Sequence, residues 1–150
     1  MLDHRDTETQ RINEVTEKII GAAINVHREL GPGLLESAYE ECLCFELSDA
    51  GLPFRRQVEL AIAYKNVKLD CGYRMDIVVS DLVVVELKTV EHILAVHEAQ
   101  LLSYLKLSKK PVGLLLNFHV SILKNGIKRL RNLSSPCLRV SVVKTPGEML

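Results

Sequence analysis

The ten residues DLVVVELKTV, Asp81 to Val90, constrain this chain more than any other stretch. Valines and leucines in that density read as a strand with little access to water, yet Glu86 and Lys88 sit among them. Removing a carboxylate or an ammonium from water without a partner is costly, so the fold must give these two charges partners or a task. Side chains alternate along a strand, and Glu86 and Lys88 therefore share a face.

The preceding stretch YRMDIVV, Tyr73 to Val79, brings a second acid, Asp76. If the connecting loop is Ser80 to Leu82, Asp76 lies opposite Glu86. A two-residue loop would set Asp76 opposite Val85 and turn the acids apart, so a chemical site predicts an odd-length loop or a bulge here. A two-residue turn at Lys65-Asn66 then predicts Arg74 paired with Gln57, and Gly72 with Glu59. That register collects Gln57, Glu59, Asp70, Arg74, Asp76, Glu86 and Lys88 on a polar face. Val58, Leu60, Ile62, Leu69, Tyr73, Ile77, Val85 and Leu87 form the core face. Two carboxylates on adjacent strands suit Mg2+ or Mn2+, hard cations that take oxygen ligands and keep several waters. A lysine beside them can hold a phosphate oxygen or a metal-activated water. The competing reading is a set of half-exposed strand charges, Asp76 and Glu86 matched by Arg74 and Lys88. An acid and an E-x-K on neighbouring strands, between apolar blocks, favour the site.

Helical spacing from about Thr9 to Leu30 places Ile12, Val15, Ile19, Ala22 or Ala23, Val26 and Leu30 on one stripe. Gly31-Pro32-Gly33 ends that helix. A second helix, about Leu34 to Ala50, carries Leu35, Ala38, Cys42 and Phe45 as its expected buried stripe. Arg56 to Tyr64 alternates as a strand, the two strands already discussed follow, and Glu91 to Lys109 reads as a third helix. PVGLLLNF is another strand. A short strand, a turn at Asn125-Gly126 and a strand into Lys128 come next, and LRVSVVK is a candidate edge strand in the tail, about 135–150. Helix, helix, three strands, helix and further strands make an α/β fold with a mixed central sheet flanked by helices. The length of 150 residues is that of a single domain, 1–150.

No apolar run is long enough to span a bilayer, and MLDHRDTETQ lacks a signal-peptide core, so the expectation is a cytoplasmic protein without membrane partners. Cys42, Cys44, Cys71 and Cys137 form no C-x-x-C and are expected to be reduced thiols. The net charge is zero but uneven: residues 1–98 hold 10 Lys/Arg against 18 Asp/Glu, and residues 99–150 hold 9 against one. Lys109, Lys110, Lys128, Arg129 and Arg131 therefore either face an anionic partner or neutralise the acidic helices.

The pattern Asp76…Glu86-Leu87-Lys88 resembles the core of the PD-(D/E)XK nuclease superfamily. GLLESAY, Gly33 to Tyr39, is similar to the G-x-x-E-x-x-Y signature of the GxxExxY proteins, a branch of that superfamily, and HEAQLLSYLKL and PVGLLLNF extend the likeness over about residues 10 to 130. Met75 stands where the superfamily's name has proline. The resemblance implies a restriction-endonuclease-like core and a metal-dependent nuclease, with DNA a better candidate substrate than RNA. It assigns Asp76, Glu86, the backbone carbonyl of Leu87 and Glu36 to a Mg2+ or Mn2+ ion, and gives Lys88 the developing charge or the attacking water. Glu36, in a first helical turn, is otherwise a simple N-terminal helix charge. Gln100 and Tyr104 match the Q-x-x-x-Y element that borders substrate in the recombination nucleases; read alone, they are a polar stripe beside Leu101 and Leu105. Tyr39 either orients Glu36 toward substrate or packs, Arg74 is a candidate phosphate contact, and His97 either approaches the site or lies on the surface. One site per chain would make a homodimer the way to cut two strands. The alternative is a non-catalytic module of the same fold that binds nucleic acid or protein.

Overall fold

Val79 pairs with Val83 across Ser80–Leu82, so the hairpin loop holds the three residues that bring Asp76 and Glu86 together. Ser80 and Asp81 take left-handed backbone angles (φ 52° and 57°). Arg55 and Lys110 both reach the Asp81 carboxylate, at 3.1 and 2.7 Å. Lys110 thus neutralises an acid within the fold.

The computed structural model describes residues 4–134. In order these form α1 (His4–Leu30), α2 (Glu36–Asp49), β1 (Phe54–Tyr64), β2 (Val67–Val79), β3 (Val83–Lys88), α3 (Ala95–Ser108), β4 (Val112–Asn117), a 3-10 turn (Leu123–Gly126) and β5 (Ile127–Arg131). The sheet order is β1-β2-β3-β4-β5. β3 and β4 run parallel and the other neighbours are antiparallel. α1 and α2 pack on Ile77, Val79, Val83, Val85, Leu87, Val112, Leu114 and Leu116. On the other layer α3 packs through Leu101, Tyr104 and Leu105 on Leu60, Met75, Val78, Val84 and Leu115. The architecture is an α/β restriction-endonuclease-like fold, with a mixed five-stranded sheet between helices.

The α1 stripe buries as its spacing predicts, apart from Leu30 at the exposed end. The α2 stripe does not. Leu35 and Phe45 are 77% and 72% exposed, and the buried face is Tyr39, Glu40, Leu43, Cys44 and Leu47. Two apolar stripes compete on this helix, and tertiary contacts choose between them. The Tyr39 ring stacks on Phe118 with centroids 4.4 Å apart, and its hydroxyl donates to the Gly31 carbonyl.

The β1–β2 hairpin begins in the expected register, Tyr64 with Val67 around a turn whose two residues have positive φ. It then departs from it. Asp70, Cys71 and Gly72 stand opposite Ala61 alone, Gly72 takes φ 78°, and its N–H donates to Asp70 Oδ1 at 2.9 Å. Arg74 therefore pairs with Glu59, not Gln57. A second irregularity lies at Gln57 (φ 49°), between the pairs Arg56–Ile77 and Val58–Met75. Across it the apolar residues change layer. Ile77 joins the α1–α2 core, whereas Val58, Leu60 and Met75 join the α3 cluster. The single core face expected for this hairpin is thus divided between two layers, and Leu69 and Tyr73 remain exposed.

α3 begins at Ala95 rather than Glu91, because the His97 side chain turns back to accept the Leu94 N–H at 2.9 Å. No short strand precedes β5; bends and the 3-10 turn occupy that stretch. Gly126 is forced there, since a Cβ would lie 2.2 Å from the Asn117 carbonyl oxygen. The LRVSVVK strand and Cys137 lie outside the described residues. Cys42, Cys44 and Cys71 are free thiols, and burial pushes the Cys44 thiol up to about 11. Among the described residues no helix is long and apolar enough to cross a membrane.

Candidate active site

The β2–β3 ladder stops at Ile77–Val85. Beyond it the backbone amides are taken by side chains instead. The Asp76 N–H donates to Glu86 Oε1 at 3.0 Å, and the Leu87 N–H donates to Asp76 Oδ2 at 2.9 Å. The parted strands therefore hold two carboxylates side by side, each fixed by a backbone group of the opposite strand.

This placement carries an electrostatic cost. Glu86 is only 7% exposed. Burial first, and then the neighbouring Asp76 charge, lift its carboxyl from an ordinary 4.5 to about 8. Asp76 is raised as well, chiefly by burial and further by the Glu40 charge, while the Leu87 amide and Lys88 pull the other way. Glu36, the first residue of α2, is raised by burial and by Asp76 and Glu40, and lowered by Lys88. The end of β2, the end of β3 and the start of α2 thus bring Asp76, Glu86, Lys88 and Glu36 into one electrostatic cluster.

The G-x-x-E-x-x-Y stretch does mechanical work at this point. Gly33 adopts φ 106°, open to glycine and strained for other residues. The Tyr39 hydroxyl accepts the Leu34 N–H at 3.2 Å and donates to Gly31, which clamps the loop that delivers Glu36. Tyr39 itself is fully buried, so the expected substrate contact at this residue gives way to a structural one. Arg74 is turned to Glu59, with 3.3 Å between them and both ends in solvent.

Gln100 and Tyr104 do meet, Gln100 Nε2 donating to the Tyr104 hydroxyl at 3.0 Å. Burial and the charges of Glu86, Tyr73 and Asp76 raise the Tyr104 phenol, which puts this helix face beside the acids. His97 caps α3 through Nδ1.

Two residues passed over in the sequence support the site. Glu40, one turn after Glu36, is buried and accepts Arg56 Nε and Nη2 at 3.1 and 2.7 Å and Gln57 Nε2 at 2.8 Å. It grips β1 at its kink, on either side of which the strand pairs with the neighbours of Asp76. The i, i+4 spacing of Glu36 and Glu40 was the available signal. Asn117, buried at the end of β4, accepts the Val90 and His119 N–H groups and donates to the Val90 carbonyl. It fixes the chain just beyond Lys88, its partner across the parallel ladder. An asparagine ending the apolar run VGLLLN was its signal.

Among the described residues no group of three or more His, Cys, Asp or Glu side chains is gathered tightly enough to form a metal cage by itself. The donors at hand are two adjacent carboxylates, with Glu36 within electrostatic reach. Hard oxygen donors in that small number fit a cation of the Mg2+ type, which keeps much of its water, and a nearby cation would relieve the repulsion between Asp76 and Glu86.

A family model described as the PD-(D/E)XK nuclease superfamily matches residues 13–130, a span that holds Glu36, Asp76, Glu86, Lys88, Gln100 and Tyr104. No curated protein and no solved structure matches the chain. A match over most of the length, on a fold of the required kind, means that the chain belongs to the PD-(D/E)XK nuclease superfamily.

Proposed function

We propose that this protein is a divalent-metal-dependent nuclease that hydrolyses phosphodiester bonds, in DNA rather than RNA, and that it belongs to the GxxExxY branch. The observation that supports this most is the reciprocal capping of Asp76 and Glu86 beside Lys88. It keeps two acids together at a strand end where repulsion would otherwise drive them apart. The branch assignment rests on the loop clamp of Gly33 and Tyr39, which gives each motif position a physical task.

Asp76, Glu86 and the Leu87 carbonyl would hold Mg2+ or Mn2+, with Glu36 completing the acidic cluster. When bound, such a cation supplies Lewis acidity and eases the ionisation of a water. Lys88 stabilises negative charge developing on the phosphate. Gln100 and Tyr104 border the substrate. Glu40 sets the kink that parts β1 from Asp76, and Asn117 holds the segment after Lys88.

Calorimetric titration with Mn2+ of the wild type and of Asp76→Asn is the first test, followed by cleavage of plasmid and oligonucleotide DNA with Mg2+. Binding and cleavage that both vanish in Asp76→Asn are expected. A wild type that binds Mn2+ neither alone nor with an uncleavable oligonucleotide would leave Asp76 and Glu86 as a structural pair and overturn the reading.

A further inference from the structure

A groove of about 510 Å3 lies between the β1–β2 hairpin and α3. Its walls include Ile62 and Tyr73 from the hairpin and Val96, Gln100, Tyr104 and Leu107 from α3. The volume lies in the range of small-ligand pockets. Tyr73 and Tyr104 meet edge to face, with centroids 6.0 Å apart, and Tyr73 keeps 42% of its surface in solvent. Gln100 spends an amide N–H on Tyr104, and its carbonyl oxygen has no partner among the described residues. Among the described residues no lysine or arginine lines the groove. Tyr104, one of its lining residues, also feels the charges of Glu86 and Asp76.

Those features select an occupant. A base inside a duplex is stacked on its neighbours and paired at its edge, so both surfaces are closed to a side chain. An unpaired base presents a flat π face and a hydrogen-bonding edge, and is held by aromatic stacking. The open Tyr73 ring offers the first surface, and the Gln100 carbonyl offers an acceptor for an exocyclic N–H.

We infer that the Tyr73–Gln100 groove is a nucleobase subsite and that the preferred substrate is single-stranded or locally unpaired nucleic acid. This rests on the nuclease reading and deepens it. The base stacks on Tyr73 while its strand runs past Tyr104 to the phosphate at Asp76 and Glu86. Val96 and Leu107 flank the base with apolar surface.

The test is fluorescence-anisotropy binding of the full chain in Ca2+, a hard cation used to hold the site without supporting cleavage. The probes are a labelled single-stranded DNA 12-mer, its blunt duplex, and the same strand with abasic residues. The wild type is expected to bind the single strand at least about tenfold more tightly than the duplex or the abasic strand. Tyr73→Ala should weaken single-strand binding about 5- to 100-fold, the range of a lost base–aromatic stack, and leave duplex and abasic binding unchanged. Val96→Glu, at a position exposed on the rim, should weaken the same interaction, and Tyr73→Phe should preserve it. Thermal melts check that each variant folds. Equal affinity for the three probes, or variants that bind all three like the wild type, would overturn the subsite while the nuclease reading stands. So would a Tyr73→Ala effect confined to self-association in sedimentation. No binding of any probe would remove both.

Discussion

Asp76 and Glu86 hold one another's strands: the backbone of Asp76 donates to Glu86 Oε1, and the backbone of Leu87 donates to Asp76 Oδ2. Each carboxylate thus does the work of a missing ladder bond, and this keeps two like charges in contact in a buried place. Without a cation that contact destabilises the fold in a pH-dependent way.

The sign follows from the Glu86 carboxyl, ordinary at 4.5 and raised to about 8 in the fold. Below 4.5 it is protonated in the folded and the unfolded chain and contributes nothing. Above 4.5 the unfolded chain releases the proton while the fold retains it, so stability falls as pH rises, until both states are ionised near pH 8. The loss is at most about 1.4 kcal/mol per pH unit and a few kcal/mol in total. Urea titrations in EDTA from pH 4 to 9 should show that decline in the wild type and a flatter curve in Glu86→Gln. At pH 8 the variant should be the more stable protein. A variant less stable than the wild type at pH 8 would mean that the pair is a net structural asset.

The same proton couples to the metal. A divalent cation on Asp76 and Glu86 must displace it below about pH 8, so Mn2+ affinity should rise by up to about tenfold per pH unit and level off above. Calorimetry in two buffers of different ionisation enthalpy should record close to one proton released at pH 6.5 and none at pH 9. Equal affinity at the two pH values would place the cation on other groups.

The parity of the hairpin was legible only as a condition, because a one-residue change of loop length turns every side chain over. A three-residue loop, Ser80–Leu82, pairs Asp76 with Glu86 and a two-residue loop parts them; the structure has the three-residue loop. The bulge at Asp70–Gly72 was not legible: it adds two residues, which preserves the alternation, so no hydrophobic pattern reports it. Nor was the kink at Gln57, where a non-glycine residue stands at positive φ and its side chain donates to Glu40 of the preceding helix. The α2 stripe failed for a related reason. Leu35 and Phe45 matched helical spacing as well as Leu43 and Leu47 do, and the choice was made by the stacking of Tyr39 on Phe118, a pair 79 positions apart (118 − 39). Glu40 looked like one acid among several, and only its partners Arg56 and Gln57 mark it out.

On the proposed function, a change at Lys88 should separate binding from chemistry. Its charge acts on Glu36, Asp76 and Glu86, yet an ammonium is no metal ligand. Lys88→Ala should bind Mn2+ at least as tightly as the wild type, because a competing cation is gone. Its cleavage rate should fall about 100-fold or more, the usual cost of removing one stabiliser of developing charge. Normal cleavage by this variant would show that Lys88 only balances the acids.

Glu40 is the residue to test for positioning. It ties α2 to the β1 kink through Arg56 and Gln57, and its charge also acts on Asp76. Glu40→Gln keeps the shape and one acceptor but loses the ion pair. Arg56 retains Glu41 at 2.8 Å and is partly in solvent, so the stability cost should be about 1–2 kcal/mol. The loss of cleavage should be larger than that cost accounts for, and it should persist at temperatures where the variant is fully folded. It should fall on kcat, with KM little changed, because the damage is to the placement of Asp76 rather than to substrate contacts. Arg56→Ala should reproduce the effect, and the double variant should add little to either single one, since both break the same tie. Full activity in folded Glu40→Gln would confine Glu40 to holding the helix against the sheet.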